Sequence, residues 1–354
     1  MGTVWFCTTA LTLTVYVLLD GFVLGAGIVH LLVARTDAER RMVLGSIGPV
    51  REGNEVWLLA AGGMLFCAFP LLYASGFSGF YLPLMIVLWL LILRGISIEF
   101  RGHIHSAVWD PLWDFLFSSS SLLLAVFYGA ALANVVRGVP LDATQYFFEP
   151  LWTNFRLGDE TGILDWYTIL VGLLAVGAIA MHGALWVHMK TNGAVNQRSG
   201  KFAAAIWWII AVLTAVVTTV TFRIQPQIET NFTEHHWGAI FPVLAVAGLT
   251  GVIFELRNNH EMRALCASGA YLAGMMTSVV FGVYPMVLPA RNPLYSLTVE
   301  NAKAGDYGLR VGLIWWTFGI LLASRYFIFV YRSFSGKVAA PRAAETLRHE
   351  RCTK

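Results

Sequence analysis

The sequence GSIGPVREGNEVW, Gly45–Trp57, is the stretch on which the reading of the fold turns. It is a short polar segment between two long apolar runs, and it carries Glu52 and Glu55 to the edge of the second. A charged side chain at the centre of a membrane span costs about 2.5 to 3.5 kcal/mol or more, so carboxylates placed there are functional candidates. Asp20, inside the preceding apolar run, belongs to the same argument.

The sequence around this segment is that of a membrane protein. Hydrophobic residues make up 57% of the 354 residues and charged residues 13%, against roughly 25% charged in a soluble globular protein. Mean hydropathy is positive. Most of the chain is consumed by apolar runs of about 20 residues, the length that crosses a bilayer. Nine such spans are predicted, near Val4–Val33, Glu55–Tyr73, Phe77–Ile98, Trp113–Val136, Ile163–Val187, Phe202–Phe222, Trp237–Phe254, Ala264–Leu288 and Gly308–Tyr331. The fold class is therefore all-α and polytopic. Residues 1–336 are read as a single integral membrane domain and 337–354 as a basic, disordered cytoplasmic tail. Pro70 and Pro83 are expected to kink their spans. The first span has no positive leader and is interrupted by Asp20, so it is not read as a cleaved signal peptide.

Lysine and arginine set the orientation. One side gathers Arg35, Arg40, Arg41, Arg51, Arg94, Arg101, Lys190, Arg198, Lys201, Arg257, Arg263 and the tail from Arg325 onward. The other holds Arg137, Arg156, Arg223, Arg291, Lys303 and Arg310. The amino terminus is thus predicted outside and the carboxyl terminus in the cytoplasm, which an odd number of spans requires. The formal charge of +3 follows from this asymmetry and gives no reason to invoke a nucleic acid.

Three groups of residues could carry chemistry. Asp20 lies roughly 24 Å into the first span at 1.5 Å per residue, followed by Gly21, Gly25 and Gly27, which permit close helix approach. Glu52 and Glu55 share a helical face and suit either a proton route or the cap of a helix N-terminus. Arg94, Glu99 and Arg101 end the third span, where arginines snorkel to the interface or pair with Glu52 or Glu55. The nine histidines show no paired spacing for haem ligation; His30, His182 and His188 are read as hydrogen-bonded or interfacial. His103, His105, His235 and His236 lie in loops. Cys7, Cys67, Cys266 and Cys352 form no CxxC pair, and Cys67 and Cys266 are read as small apolar fillers.

The segment Asp20–Arg101 resembles subunit II of the cytochrome bd-type quinol oxidases. The resemblance rests on DGFVLG (Asp20–Gly25), ERR (Glu39–Arg41), GSIGPVREGNEVWL (Gly45–Leu58), FPLLYASGFSGFYLPLM (Phe69–Met85) and LRGISIEFR (Leu93–Arg101). HGALWVHMKTNG (His182–Gly193) and YPMVLPARNPLYSLTVENA (Tyr284–Ala302) follow in order. Two departures stand out: Val23 replaces the second acid of the usual DGFD, and Arg51 replaces the usual tryptophan before the acid at Glu52, itself a Glu for the usual Asp.

The resemblance implies nine helices built as two four-helix bundles plus a peripheral helix, in a bacterial cytoplasmic (inner) membrane. It implies pairing with a haem-bearing subunit I that holds haem b, haem d and the quinol site, with no cofactor on this chain. Small single-span accessory subunits and a bound membrane lipid or quinone are further partners compatible with it. The proton-path role falls on Asp20 and Glu52, with Glu55 and Glu99 in support and Arg51, Arg94 and Arg101 as electrostatic partners. Arg51 is expected to hold Glu52 in an ion pair. Two rival readings are a secondary transporter, which suits buried acids and Gly-rich spans, and a purely structural subunit whose proton route is lost.

Overall fold

The computed structural model describes residues 1–104, 106–158 and 161–338. The predicted tail beyond residue 338, and His105, lie outside the described residues. Eleven α-helices follow one another: α1 Gly2–Val33, α2 Asp37–Ala68, α3 Pro70–Gly79, α4 Tyr81–Arg101, α5 Trp109–Arg137, α6 Trp166–Lys190, α7 Gly193–Ile224, α8 Pro226–Glu234, α9 Ile240–Arg257, α10 Glu261–Val283 and α11 Asp306–Ser333. Among the described residues eight helices or helical segments are long and apolar enough to cross a membrane, and the bent pair α2–α3 makes a ninth span. The predicted count therefore holds.

Several boundaries differ from those predicted. Gly45–Trp57 is not a link between helices; it lies inside α2, which begins at Asp37. The start is fixed by a capping box: the Glu39 amide donates to Thr36 Oγ1, and the Glu39 carboxylate accepts from the Thr36 amide. A helix interior carrying Pro49, Gly48 and Gly53 reads locally as a loop, and tertiary packing overrides that propensity. The second span is broken rather than kinked. Its chain turns by 118° between Ala68 and Pro70, where proline takes the first position of α3 and its missing N–H costs no helical hydrogen bond. The eighth span stops at Val283, before the short antiparallel strands β1 Met286–Leu288 and β2 Leu297–Thr298.

Helices α1, α2, α4 and α5 form one four-helix group and α6, α7, α9 and α10 a second, with α11 against the outside of α2. The groups join where α6 packs on α5 and crosses α1. At that crossing Gly25 and Gly183 face each other so closely that a Cβ on either would overlap the backbone of the other helix. Close approach of this kind supplies van der Waals packing where lipid offers no hydrophobic drive for helix association. Beside it Phe22 stacks on Trp186 with ring centroids 3.8 Å apart. The core of apolar residues runs through both groups. Cys67 and Cys266, read as small apolar fillers within the spans, take no part in it: both are exposed, on α2 and α10.

At the opposite end, away from the basic cluster, residues 138–158 and 161–165 lie beside the β1–β2 hairpin, with Val139 bonded to the Pro289 carbonyl and the Arg291 amide. Arg137, at the end of α5, pairs with Asp165 and with Glu149 at 3.0 Å, and Arg291 reaches the same Glu149 at 2.7 Å. Two loops distant in sequence are thus tied to one helix end.

Candidate functional site

Asp20, Glu55 and Arg94 come from α1, α2 and α4 and meet inside the first four-helix group. Arg94 donates from Nη1 and Nη2 to the two carboxylate oxygens of Asp20, each at 2.9 Å. Neither side chain is exposed to any degree (0% each). The planar guanidinium fork matches the carboxylate, the geometry in which arginine binds most firmly. Arg94 Nη2 also donates to Glu55 Oε1 at 2.5 Å, and the Glu55 side chain is 40% exposed. One guanidinium therefore bridges a buried and a half-buried carboxylate. Asp20 lies 13 residues before the end of α1, about 20 Å along the helix, so the bridge sits deep in the membrane. Ion pairs at that depth persist only when charges and hydrogen bonds are satisfied together.

The surroundings of the bridge are polar in a limited way. Tyr16, one turn before Asp20, is buried with its hydroxyl 3.0 Å from that of Tyr128. Asn54, beside Glu55 in α2, donates to the Leu19 carbonyl at 2.7 Å and accepts from Tyr331 Oη at 3.0 Å. These side chains escape sequence reasoning, because an isolated Tyr or Asn in an apolar run has no distinctive spacing.

A second pair lies nearer the basic end. Arg51 bonds Glu99 on α4 and donates to the Gly95 carbonyl at 3.2 Å. Its contact with Glu52 is 3.4 Å, and the Glu52 side chain is 85% exposed. The expected ion pair thus forms chiefly with Glu99, whose side chain is 58% exposed, because α4 presents that carboxylate across the helix contact while Glu52 points outward. Glu52 and Glu55 sit 15 and 18 residues into α2, so the helix-cap reading of either is excluded.

Arg101 also departs from expectation. It does not reach Glu52 or Glu55 but donates to Asp114 on α5 at 2.6 and 3.2 Å and to Asp37 at 2.7 Å. Asp114 accepts in addition from Arg40 at 3.1 Å and from His30 Nε2 at 2.8 Å. This buried carboxylate, unmarked in the sequence reading, ties α1, α2, α4 and α5 together at the basic end. His30 and His182 are hydrogen-bonded as predicted: His182 Nδ1 lies 2.6 Å from Ser268 Oγ and Nε2 3.0 Å from the Leu18 carbonyl. Among the described residues no group of three or more His, Cys, Asp or Glu side chains is arranged to hold a metal ion.

Fold and site together define a polytopic helical membrane protein with an acid–arginine bridge inside its first bundle. Residues 1–334 match the family model of cytochrome bd terminal oxidase subunit II. The chain is 29% identical to the probable cytochrome oxidase subunit 2 of Haemophilus influenzae, with 95% of each chain covered. It is 28% identical to the cytochrome bd ubiquinol oxidase subunit 2 of Bacillus subtilis, over 87% of this chain and 88% of that one. A chain of the bd oxidase from Geobacillus thermodenitrificans superposes with a TM-score of 0.73 at 17% identity, over 94% of this chain and 98% of that one, which shows a common fold. The chain belongs to the cytochrome bd terminal oxidase subunit II family. It is subunit II of a cytochrome bd-type quinol oxidase complex, as the resemblance implied.

Proposed function

We propose that this subunit, seated beside a haem-bearing subunit I, delivers cytoplasmic protons toward the site where that subunit reduces oxygen to water with electrons from quinol. The observation that carries this reading is the single guanidinium of Arg94 shared by Asp20, fully buried, and Glu55, half exposed. Glu52 and Glu99 form the outer acids, Glu55 the intermediate one and Asp20 the inner one. A proton arriving on Glu55 weakens its hold on Arg94 and strengthens that of Asp20; a proton arriving on Asp20 does the reverse. The pair is thus a two-position element through which protonation of one acid is felt at the other. Val23, where the family resembled usually has a second acid, leaves Asp20 as the one carboxylate of α1.

The haems and the quinol site are assigned to subunit I, and the protein lies in the bacterial inner membrane with its basic end in the cytoplasm, following the positive-inside rule. The docking face is the one formed by α2 and α4. It exposes Val56, Leu59, Phe66, Leu88 and Trp89 together with Glu55 at membrane depth. An apolar stripe alone suits lipid, whereas a half-exposed carboxylate at that depth requires cover by protein or a water-lined cavity.

The test is proton uptake by the reconstituted oxidase complex carrying Asp20→Asn or Glu55→Gln, with haem content measured alongside. Slowed uptake and turnover at normal haem content is the expected result. Full turnover and unchanged uptake with normal haem content removes the proton role. A second reading, that the subunit is purely a scaffold, is favoured by the complete burial of the Asp20–Arg94 pair. On that reading the same variants lose complex or haem, and whatever assembles turns over normally.

A further inference from the structure

We propose that the cavity bounded by α1, α6, α10 and the end of α11 binds an anionic phospholipid, with its phosphate against Lys190. The cavity measures about 830 Å³ and is open on one side. Its deeper wall is apolar, formed by Leu18, Leu19 and Phe22 of α1 and by Leu265 and Gly269 of α10. From Lys190 to His182 along α6 is eight residues, about 12 Å, a depth that takes a glycerol backbone and the first part of an acyl chain.

Lys190 is the reason for choosing an anion. Only 9% of this residue is exposed, and no carboxylate lies within ion-pair distance of it among the described residues. Its ammonium donates to the Phe334 carbonyl at 2.6 Å and the Gly336 carbonyl at 3.2 Å and lies 5.3 Å from the centre of the Trp186 ring. An ammonium has three donors, so one remains for a ligand. Buried lysines are ordinarily paired with an opposite charge, and this one lines the cavity.

The rest of the rim has the same sign. Lys337 and Arg263 line it, and the one acid that does so among the described residues, Glu261, is already engaged by Lys337 at 2.8 Å and by Asn196 at 2.7 Å. Arg263 is exposed and has no acidic partner among the described residues. Three cations thus face one carboxylate at the basic end of the bundle. An apolar slot under an uncompensated cationic rim fits a phospholipid with net negative charge, and a zwitterionic one satisfies it less well.

The test is lipid quantification by mass spectrometry on the oxidase complex purified through this subunit and washed extensively in neutral detergent. Phosphatidylglycerol or cardiolipin is expected to stay with the complex. Its retention is expected to fall about fivefold for each rim cation removed, in Lys190→Met and, independently of any effect on folding, in the exposed Arg263→Gln. Arg257→Gln, an exposed arginine on the same side but outside the cavity, is expected to retain it fully. Retention at the unsubstituted level in the Lys190 and Arg263 variants, or retention of phosphatidylethanolamine or quinone in its place, overturns the proposal.

Discussion

Arg94 holds both oxygens of Asp20 in two hydrogen bonds of 2.9 Å, with neither side chain reaching the surface. Removing two charges from water is costly, and the pair survives because geometry and hydrogen bonding are complete on the carboxylate side. The same guanidinium then has one further interaction, with Glu55 at 2.5 Å. Stability and the proposed proton chemistry therefore meet in one side chain, and the two must be separated by experiment.

A double-mutant cycle does this. Asp20→Leu leaves the Arg94 charge buried against Glu55 alone and is expected to destabilise the subunit by about 3 to 5 kcal/mol. Arg94→Met is expected to cost a similar amount by leaving Asp20 unpaired. The double variant is expected to lose far less than the sum, because apolar replacements of a buried ion pair are commonly close to neutral. Thermal denaturation of the purified complex, followed through release of this subunit, measures all three; additive losses refute the coupling.

Glu52 and Glu55 are three residues apart but differ in consequence. The Glu52 side chain is 85% exposed and its contact with Arg51 is long, so Glu52→Gln is expected to change stability by no more than about 0.5 kcal/mol. Any loss of turnover in that variant then reports on proton delivery or on contact with the partner subunit. Glu55→Gln removes a charge from Arg94 and is expected to lower both stability and turnover. Parallel melting and oxygen-consumption measurements on the two variants distinguish them.

The spans were legible because the apolar runs are long and their number follows from length alone. The α2–α3 break was partly legible through Pro70, but its sharpness depends on what Phe69 packs against, where a small apolar cluster forms far from the neighbouring sequence. Asp20, Arg94 and Glu55 were legible as charges in the wrong solvent. Their mutual geometry was not, since three separate helices set it. Asp114 escaped because it stands five residues into α5, where an acid reads as an ordinary first-turn or interfacial residue. The helix running through Gly45–Trp57 is hidden for the opposite reason: its Gly and Pro content mimics a turn, and only packing of Ile47, Val50 and Trp57 into the bundle shows otherwise.

The α1–α6 crossing makes a prediction about glycine. A methyl group at Gly25 or Gly183 would collide with backbone rather than with a flexible side chain, so neither helix can yield locally. Gly25→Ala and Gly183→Ala are expected to lower the amount of assembled subunit in the membrane several-fold. Gly319→Ala in α11, where a methyl group meets nothing within 4 Å, is expected to assemble normally and to gain up to about 1 kcal/mol of helix propensity. Immunoblots of membranes expressing each variant decide the matter, and equal levels throughout refute the steric account.

The basic end offers a last comparison, between two acids that share Arg101. Asp114 is wholly buried in its side chain and accepts from His30, Arg40 and Arg101, whereas Asp37 is half exposed and accepts from Arg41 at 2.8 Å and Arg101 at 2.7 Å. Losing Asp114 leaves Arg101 nearly buried with one remaining partner and strips His30 of its acceptor. Losing Asp37 leaves Arg101 its stronger partner and returns Arg41 to water. Asp114→Ala is therefore expected to destabilise by about 3 kcal/mol or more, as for a broken buried pair, and Asp37→Ala by about 1 kcal/mol or less, as for an exposed one. The ordering is measurable as the shift in melting temperature of the complex at low salt. Raising the salt concentration is expected to reduce the Asp37 effect while leaving that of Asp114 unchanged, since screening reaches exposed pairs first; equal salt sensitivity of the two would mean that Asp114 is solvated in the assembled oxidase.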